Sequence, residues 1–346
     1  MIWKKKKFWG SLIAVGLLIY CFKDIGLDDL RSLWNRLDFI YLLPALVCAF
    51  AFVAIKALRW RLIVLPQKKI SHGRAVALYS AGQIVNIVMP ALTGQVGRIF
   101  LFAKFEGLRK TFVFSTIVLE ILFDAITLLI ILGMTSLAFA IPDRYRTAGY
   151  VLGIITIVTL AMIYVLLTCR CRFENLGRRW FRDRWPGFYI SVKKFIRSFT
   201  KGMELLKSSQ NIAYSVLLSF LYWTAHIFVI FFLFRSFGLG LPVGAAAMVM
   251  IINTIALMVP ITPGNAGTFE VAVSTSLAAF SVDKSEAVLF ALALHILDVL
   301  PLWVMGMAFL KSKKVSIREI RAQHRDKRLT NEVDENGDLV EKEETA

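Results

Sequence analysis

About six apolar runs, each close to the length of a bilayer-spanning helix, recur along this chain: 8–22, 39–58, 112–140, 148–167, 212–234 and 287–310. Twenty apolar residues in a helix match the hydrocarbon thickness of a bilayer, and such runs do not stay solvated in water. The apolar residues make up 57% of the sequence and form continuous blocks rather than amphipathic stripes. The expected class is an all-α integral membrane protein.

Charge gives the runs a direction. Lys4 to Lys7 precede the first run, which resembles a secretory leader without a small-residue cleavage site and reads as an uncleaved span. The loop 23–38 sets Lys23, Arg31 and Arg36 against Asp24, Asp28, Asp29 and Asp38, so it is expected outside. Lys56, Arg59, Arg61, Lys68, Lys69 and Arg74 then mark a cytoplasmic return, with Trp60 as an interfacial anchor. The segment 170–211 holds eleven Lys and Arg with interleaved aromatics, as an interfacial helix on anionic headgroups would. Lys311, Lys313, Lys314 and Arg318 place the C-terminus inside beside the N-terminus, in the plasma (inner) membrane. The net charge of +17 is therefore membrane-orienting, and no soluble module is left to bind nucleic acid.

Two interruptions share one pattern. Pro90-Ala-Leu-Thr-Gly94-Gln-Val-Gly97-Arg98 and Pro260-Ile-Thr-Pro263-Gly264-Asn-Ala-Gly267-Thr268 both read P-x3-G-x2-G, with Asn86 and Asn253 upstream. Broken backbone within a membrane is tolerated only where protein or a polar cavity receives it. The arm 75–90 is short for a crossing, and 99–108 carries Lys104 and Glu106, so a re-entrant hairpin is expected there; 243–280 is its counterpart. The resulting unit (two spans, a hairpin and a third span) occurs twice with opposite orientation. It divides the chain into 1–147, 148–310 and a polar tail, 311–346. Paired breaks of this kind point to a transport site.

The helix after each glycine pair is expected to start there, aiming free amides at a phosphate-bearing group, with Arg98 beside the first and Glu270 beside the second. The substrate-binding set is Asn86, Pro90, Gly94, Gly97, Arg98, Asn253, Pro260, Pro263, Gly264, Gly267 and Glu270. Alternatively, the glycines only let helices pack closely. Glu120 and Asp124 share a helix face, as do His295 and Asp298 in the equivalent later span. Charges at such depth mark pathways or partners. Arg98 paired with Glu120 or Asp124 as a structural ion pair, and a proton or headgroup relay through these four residues, both remain open. His226 stands alone in its span and reads as a hydrogen-bonded packing residue. Cys21, Cys48, Cys169 and Cys171 are too few and scattered for a metal site or disulfide framework, so no metal or cofactor is expected. No nucleotide-binding loop or hydrolase elbow is present, which leans away from an enzyme.

The runs Asn86-Ile-Val-Met-Pro90 through Gly97-Arg98, Val118-Leu-Glu120-Ile-Leu-Phe-Asp124 and Val259-Pro-Ile-Thr-Pro-Gly264-Asn-Ala-Gly267-Thr-Phe-Glu270 resemble the flippase-like transmembrane region of the lysylphosphatidylglycerol synthase family, also called UPF0104. The resemblance spans about 5–312. It implies a bacterial or archaeal membrane protein that moves or handles lipids, without the soluble synthase domain. The first function reading is thus a flippase-like protein for a phospho-, aminoacyl- or isoprenoid-linked lipid. The alternative is a membrane enzyme or partner in glycolipid, isoprenoid or hopanoid biosynthesis. Expected partners are anionic membrane lipids, with a lipid-biosynthetic enzyme and a second copy of the chain as further readings.

Overall fold

The computed structural model describes residues 13–21, 23, 26, 35–88, 93–137, 143–168, 186–257 and 262–312, and among them there is no strand. The helices are α1 (13–21), α2 (Leu42–Val64), α3 (His72–Val88), α4 (Thr93–Glu106), α5 (Lys110–Ser136) and α6 (Asp143–Thr168). They continue with α7 (Pro186–Gly202), α8 (Ser209–Ser236), α9 (Val243–Ala256), α10 (Thr268–Ala278) and α11 (Lys284–Ser312). Four segments are long and apolar enough to cross a bilayer: Phe39–Val64, Lys110–Ser136, Ser209–Ser236 and Lys284–Lys311. These are the expected second, third, fifth and last spans. The fourth lies in α6, whose apolar stretch is Gly149–Val165, and the first is described only over 13–21. Pro90, Pro260, Cys169, Cys171, most of the loop 23–38, the segment 169–185 and the tail from 313 lie outside the described residues.

Local chemistry sets the helix ends. The Asp38 carboxylate accepts a hydrogen bond from Ile40 N at 3.1 Å, opening the 3-10 turn Phe39–Tyr41 that leads into α2. Ser208 caps α8 by accepting from Asn211 N at 3.3 Å. Helices α4 and α8 close alike. Gly107 (φ 61°) and Gly238 (φ 71°) take the left-handed conformation, and Leu108 N and Leu239 N reach back to Ala103 O and Phe234 O. That closure needs a residue without a side chain at the turn, which is why glycine follows both helices.

Helices α2 and α8 form the longest interface and run antiparallel, since Asp38 N donates to Ser236 O, Phe52 meets His226 and Tyr222, and Arg59 meets Ser219. Helix α3 packs on α11 and α5 on α9, so each of these pairs joins an early helix to a late one. Helices α3 and α4 form an antiparallel hairpin. Gly94 abuts Asn86, Gly82 abuts Arg98 and Phe102, and Arg74 pairs with Glu106 at the open end. Helices α9 and α10 pack together in the corresponding place. One large apolar core joins α2, α5, α8, α9, α10 and α11, while a second joins α2, α3, α4, the start of α5 and the end of α11. Trp60 is fully buried, with its ring 4.3 Å from that of Phe102. It is a core residue, not the interfacial anchor expected from its neighbours.

The α3–α11 crossing is tight enough to test. A methyl group on Gly306 would lie 2.6 Å from Ala81 N and 2.7 Å from Ser80 C, both backbone atoms that cannot swing away. Gly306→Ala should lower the thermal unfolding temperature of the detergent-purified protein, at a cost of ~1–3 kcal/mol. Gly133→Ala, with nothing within 4 Å, should leave it unchanged or slightly raised.

Candidate functional site

Ionisable side chains from seven helices converge along the α2–α8 seam. On α8, Ser215, Ser219, Tyr222 and His226 recur at helical spacing and face inward; on α2, Phe52, Lys56 and Arg59 oppose them. Asp124, on α5, is the hub. It accepts from Arg59 Nη1 at 2.5 Å and Tyr222 OH at 2.5 Å, and Lys56 Nζ stands 3.3 Å away. Arg59 is wholly buried and also donates to Ser219 Oγ at 2.6 Å. Lys56 lies over the rings of Tyr222, Phe52 and Trp223, and both it and Asp124 keep about a fifth of their side-chain surface open.

Next along the seam, Arg98 on α4 pairs with Glu120, one turn before Asp124 on α5. Its guanidinium sits between the rings of Tyr79 and Phe102. The sequence left Glu120 and Asp124 open as partners for Arg98, and the structure selects Glu120. Among the described residues, Lys56, Arg59 and Arg98 therefore face only Asp124 and Glu120, an excess of positive charge inside apolar helices. Glu120 Oε1, Arg59 Nε and Arg98 Nε have no hydrogen-bond partner among the described residues.

The other side of the seam carries histidine–carboxylate pairs. His226 Nε2 is 3.0 Å from Asp298 Oδ1, and its ring stacks on Phe52 at 4.8 Å. His295 Nδ1 is 2.7 Å from Glu270 Oε1 and stacks on Phe269 at 4.4 Å. Phe52, touching both His226 and Lys56, joins the two polar clusters. His226 is thus buried and hydrogen-bonded, as its packing reading held.

The breaks differ from the expectation in one respect each. Helix α4 already begins at Thr93, so Gly94 and Gly97 lie inside its first turns instead of preceding it, and Arg98 sits in the second turn. A methyl group on Gly94 would fall 2.5 Å from Asn86 O, so this glycine permits the close approach of α3, as the packing alternative held. At the second break α10 starts where expected, after Gly267 (φ 80°), but its first amide is not free. Glu270 Oε2 accepts from Gly267 N at 2.6 Å, because a carboxylate at the third helical position reaches back to the capping amide. Pro263 and Gly264 (φ 63°) form a 3-10 turn against α3, where a methyl on Gly264 would sit 3.5 Å from Ile87. Asn253 is buried with its Oδ1 unpartnered. Among the described residues no cluster of three metal-ligating side chains occurs.

Lys56 and Arg59 were missed because they stand close to a run of cytoplasmic-type cations. The detectable signal was the stripe of Ser215, Ser219, Tyr222 and His226 in an otherwise apolar helix, which demands a polar partner face.

The matched motifs extend to whole-chain comparisons. A profile described as the lysylphosphatidylglycerol synthase TM region matches residues 7–306. The chain belongs to this family. It is similar to a UPF0104 membrane protein of Pyrococcus horikoshii, 24% identical over 333 residues, covering 90% of this chain and 99% of that protein. It is also similar to a UPF0104 membrane protein of Methanothermobacter thermautotrophicus, at 22% identity over 75% of this chain and 82% of that protein. A third relative, from Methanocaldococcus jannaschii, is 20% identical over 76% of this chain and 82% of its own. With its long apolar helices, the family member described here is a multi-pass membrane protein.

The Arg98–Glu120 contact can be weighed by a double-mutant cycle. Arg98→Met alone leaves a buried carboxylate without its counter-charge and should cost ~3–5 kcal/mol. Adding Glu120→Leu should recover much of that loss in mixed-micelle unfolding, giving a clear coupling energy.

Proposed function

We propose that this protein is a flippase-like lipid handler that moves a phosphate-bearing lipid along the α2–α8 seam. The observation that carries the reading is the unbalanced charge of the seam, where among the described residues Lys56, Arg59 and Arg98 face only Asp124 and Glu120. An uncompensated charge among apolar helices costs several kcal/mol, and an anionic headgroup would remove that cost. Lys56 and Asp124 are the members of the cluster that keep open surface, so they would form its mouth. This assigns the headgroup to side chains of α2, α4 and α5, in place of the free helix-start amides of the sequence reading. The His226–Asp298 and His295–Glu270 pairs would continue the polar path and are suited to passing protons.

The inverted-repeat reading, with halves 1–147 and 148–310 and a tail 311–346, draws support from matching ion pairs. In the first half the hairpin arm reaches the following span through Arg98–Glu120; in the second it does so through Glu270–His295. Asp124 then binds back to α2, and Asp298 binds back to α8. Because α2 and α8 run antiparallel, the hairpin that follows each one opens toward the opposite end of the bundle. Two re-entrant hairpins from opposite sides of an inner membrane, with both termini cytoplasmic, fit that arrangement. The contact of Gly264 with Ile87 fits hairpin tips that meet in mid-membrane.

Reconstitution into liposomes tests the proposal. Fluorescent phosphatidylglycerol should cross proteoliposome membranes, and Lys56→Gln should slow it roughly tenfold while the protein stays folded. No protein-dependent movement across a broad panel of anionic lipids, or equal rates for Lys56→Gln, would overturn it.

A further inference from the structure

One cavity lies away from the seam, at the cation-rich end of the bundle. It is a half-open cleft of about 500 Å³, lined by the α2–α3 connection, the α4–α5 turn and the end of α7. Such a volume is that of a small-ligand pocket. Its walls are set by strong local contacts. Arg61 Nε donates to Ile70 O at 2.5 Å, fixing the α2–α3 connection, and Lys68 Nζ donates to Glu106 O at 2.5 Å, tying that connection to the end of α4. Gly202, at the end of α7, lies so close to α5 that a methyl there would fall 1.5 Å from Ser115 Oγ. That contact holds Ser198 and Lys201 on the cavity wall.

The charge of this cavity is strongly one-sided. Glu106 is the acid in its lining, and it is already engaged twice, by Lys68 at 3.2 Å and by Arg74 at 2.6 Å. Arg109 and Lys201 also line the cavity and have no acidic partner within salt-bridge distance among the described residues. The nearby Glu204 is held by Gln67 Nε2 at 2.8 Å. Ser198 lines the same wall, is nearly fully buried, and its hydroxyl has no hydrogen-bond partner among the described residues. Two free cations and an unpartnered hydroxyl around a preformed volume are the complement of a phosphate group, which accepts on several oxygens at once.

Outside the lining, α7 and α5 add an apolar component. Phe195, one to two turns before Ser198 and Lys201 on α7, is exposed, and Phe114 on α5 is exposed beside it with their ring centres 6.3 Å apart. Phe199 stacks beneath Phe195 at 5.7 Å. Exposed aromatics next to a cationic cavity suit a ligand with a charged head and an apolar chain.

We infer that this cavity is a second, peripheral lipid site, in which Arg109, Lys201 and Ser198 hold the phosphate of an anionic lipid whose chain lies along Phe195 and Phe114. It shares no residue with the α2–α8 seam and does not rest on the transport reading. Arg109 stands at the start of α5 and Lys201 at the end of α7, where a headgroup resides; α7 supplies Ser198, Lys201 and Phe195, and α5 supplies Phe114. A free phosphate would use the cations but gain nothing from the shelf.

The test uses full-length protein in phosphatidylcholine nanodiscs, titrated with dioctanoyl phosphatidic acid and, separately, with inorganic phosphate. Bound lipid is counted by native mass spectrometry and affinity is measured by calorimetry. The wild type should retain one phosphatidic acid that the variant Arg109→Gln with Lys201→Gln binds at least about tenfold more weakly. Phe195→Ser should weaken the lipid and leave inorganic phosphate unchanged. Gly133→Ala, remote from the cavity and with nothing within 4 Å, should leave this binding as it is. Equal lipid affinity in the double variant would overturn the site. Equal affinity of wild type for phosphatidic acid and inorganic phosphate, indifferent to Phe195→Ser, would overturn the lipid as its occupant.

Discussion

The packing of α2 against α8 depends on the Asp124 carboxylate. Without it, Arg59 would be a fully buried guanidinium in an apolar bundle, and Lys56 would be an ammonium ringed by aromatics. Asp124 reaches both from α5 and takes the Tyr222 hydroxyl as well, so one side chain binds three helices. Removing either partner of such a pair is far more costly than the pair is favourable, because the remaining charge loses its compensation. A bundle whose centre is polar has fewer ways to repack than an apolar one. The register of α2 on α8 is fixed by these contacts, and the apolar cores fill in around it.

Much of this was legible in the amino-acid order. The two P-x3-G-x2-G interruptions mark helix pairs that pack as hairpins or hairpin-like units, and the four-residue spacing of Glu120 and Asp124 puts both on the seam. The pairing of Arg98 with an acid of α5 was one of the two readings that the sequence left open. What escaped was depth. Lys56 and Arg59 stand near the end of an apolar run and merge, in one dimension, with the solvent-side cations that follow. Helix α2 continues to Val64, and its last turns are covered by α3, α4 and α5, which places both residues inside. Which end of a run is buried is decided by distant helices, so local hydropathy carries no record of it.

The glycines make a similar point. Gly94 and Gly97 resemble a helix-breaking pair and an anion cradle, yet α4 runs through both. Whether such a pair ends a helix or lets two helices touch depends on what lies opposite, here the backbone of Asn86. At the second break the glycines do precede the helix, but Glu270 satisfies the exposed amide from within the same turn. Sequence fixes the opportunity for an anion at a helix start; a carboxylate three residues on can fill it first.

The crossing of α3 and α11 carries a consequence for biosynthesis. The face of α3 bearing Ser80, Ala81 and Gly82 is completed in part by Gly306, more than two hundred residues later. A ribosome-bound chain lacking α11 holds the first hairpin with that face uncovered and His226 without Asp298. The early helices can be inserted one by one, but their final arrangement waits for the last. The packing of the first hairpin on α11 is therefore completed only once the last helix has been made, and a chain truncated before α11 lacks both the Gly306 crossing and the partner of His226.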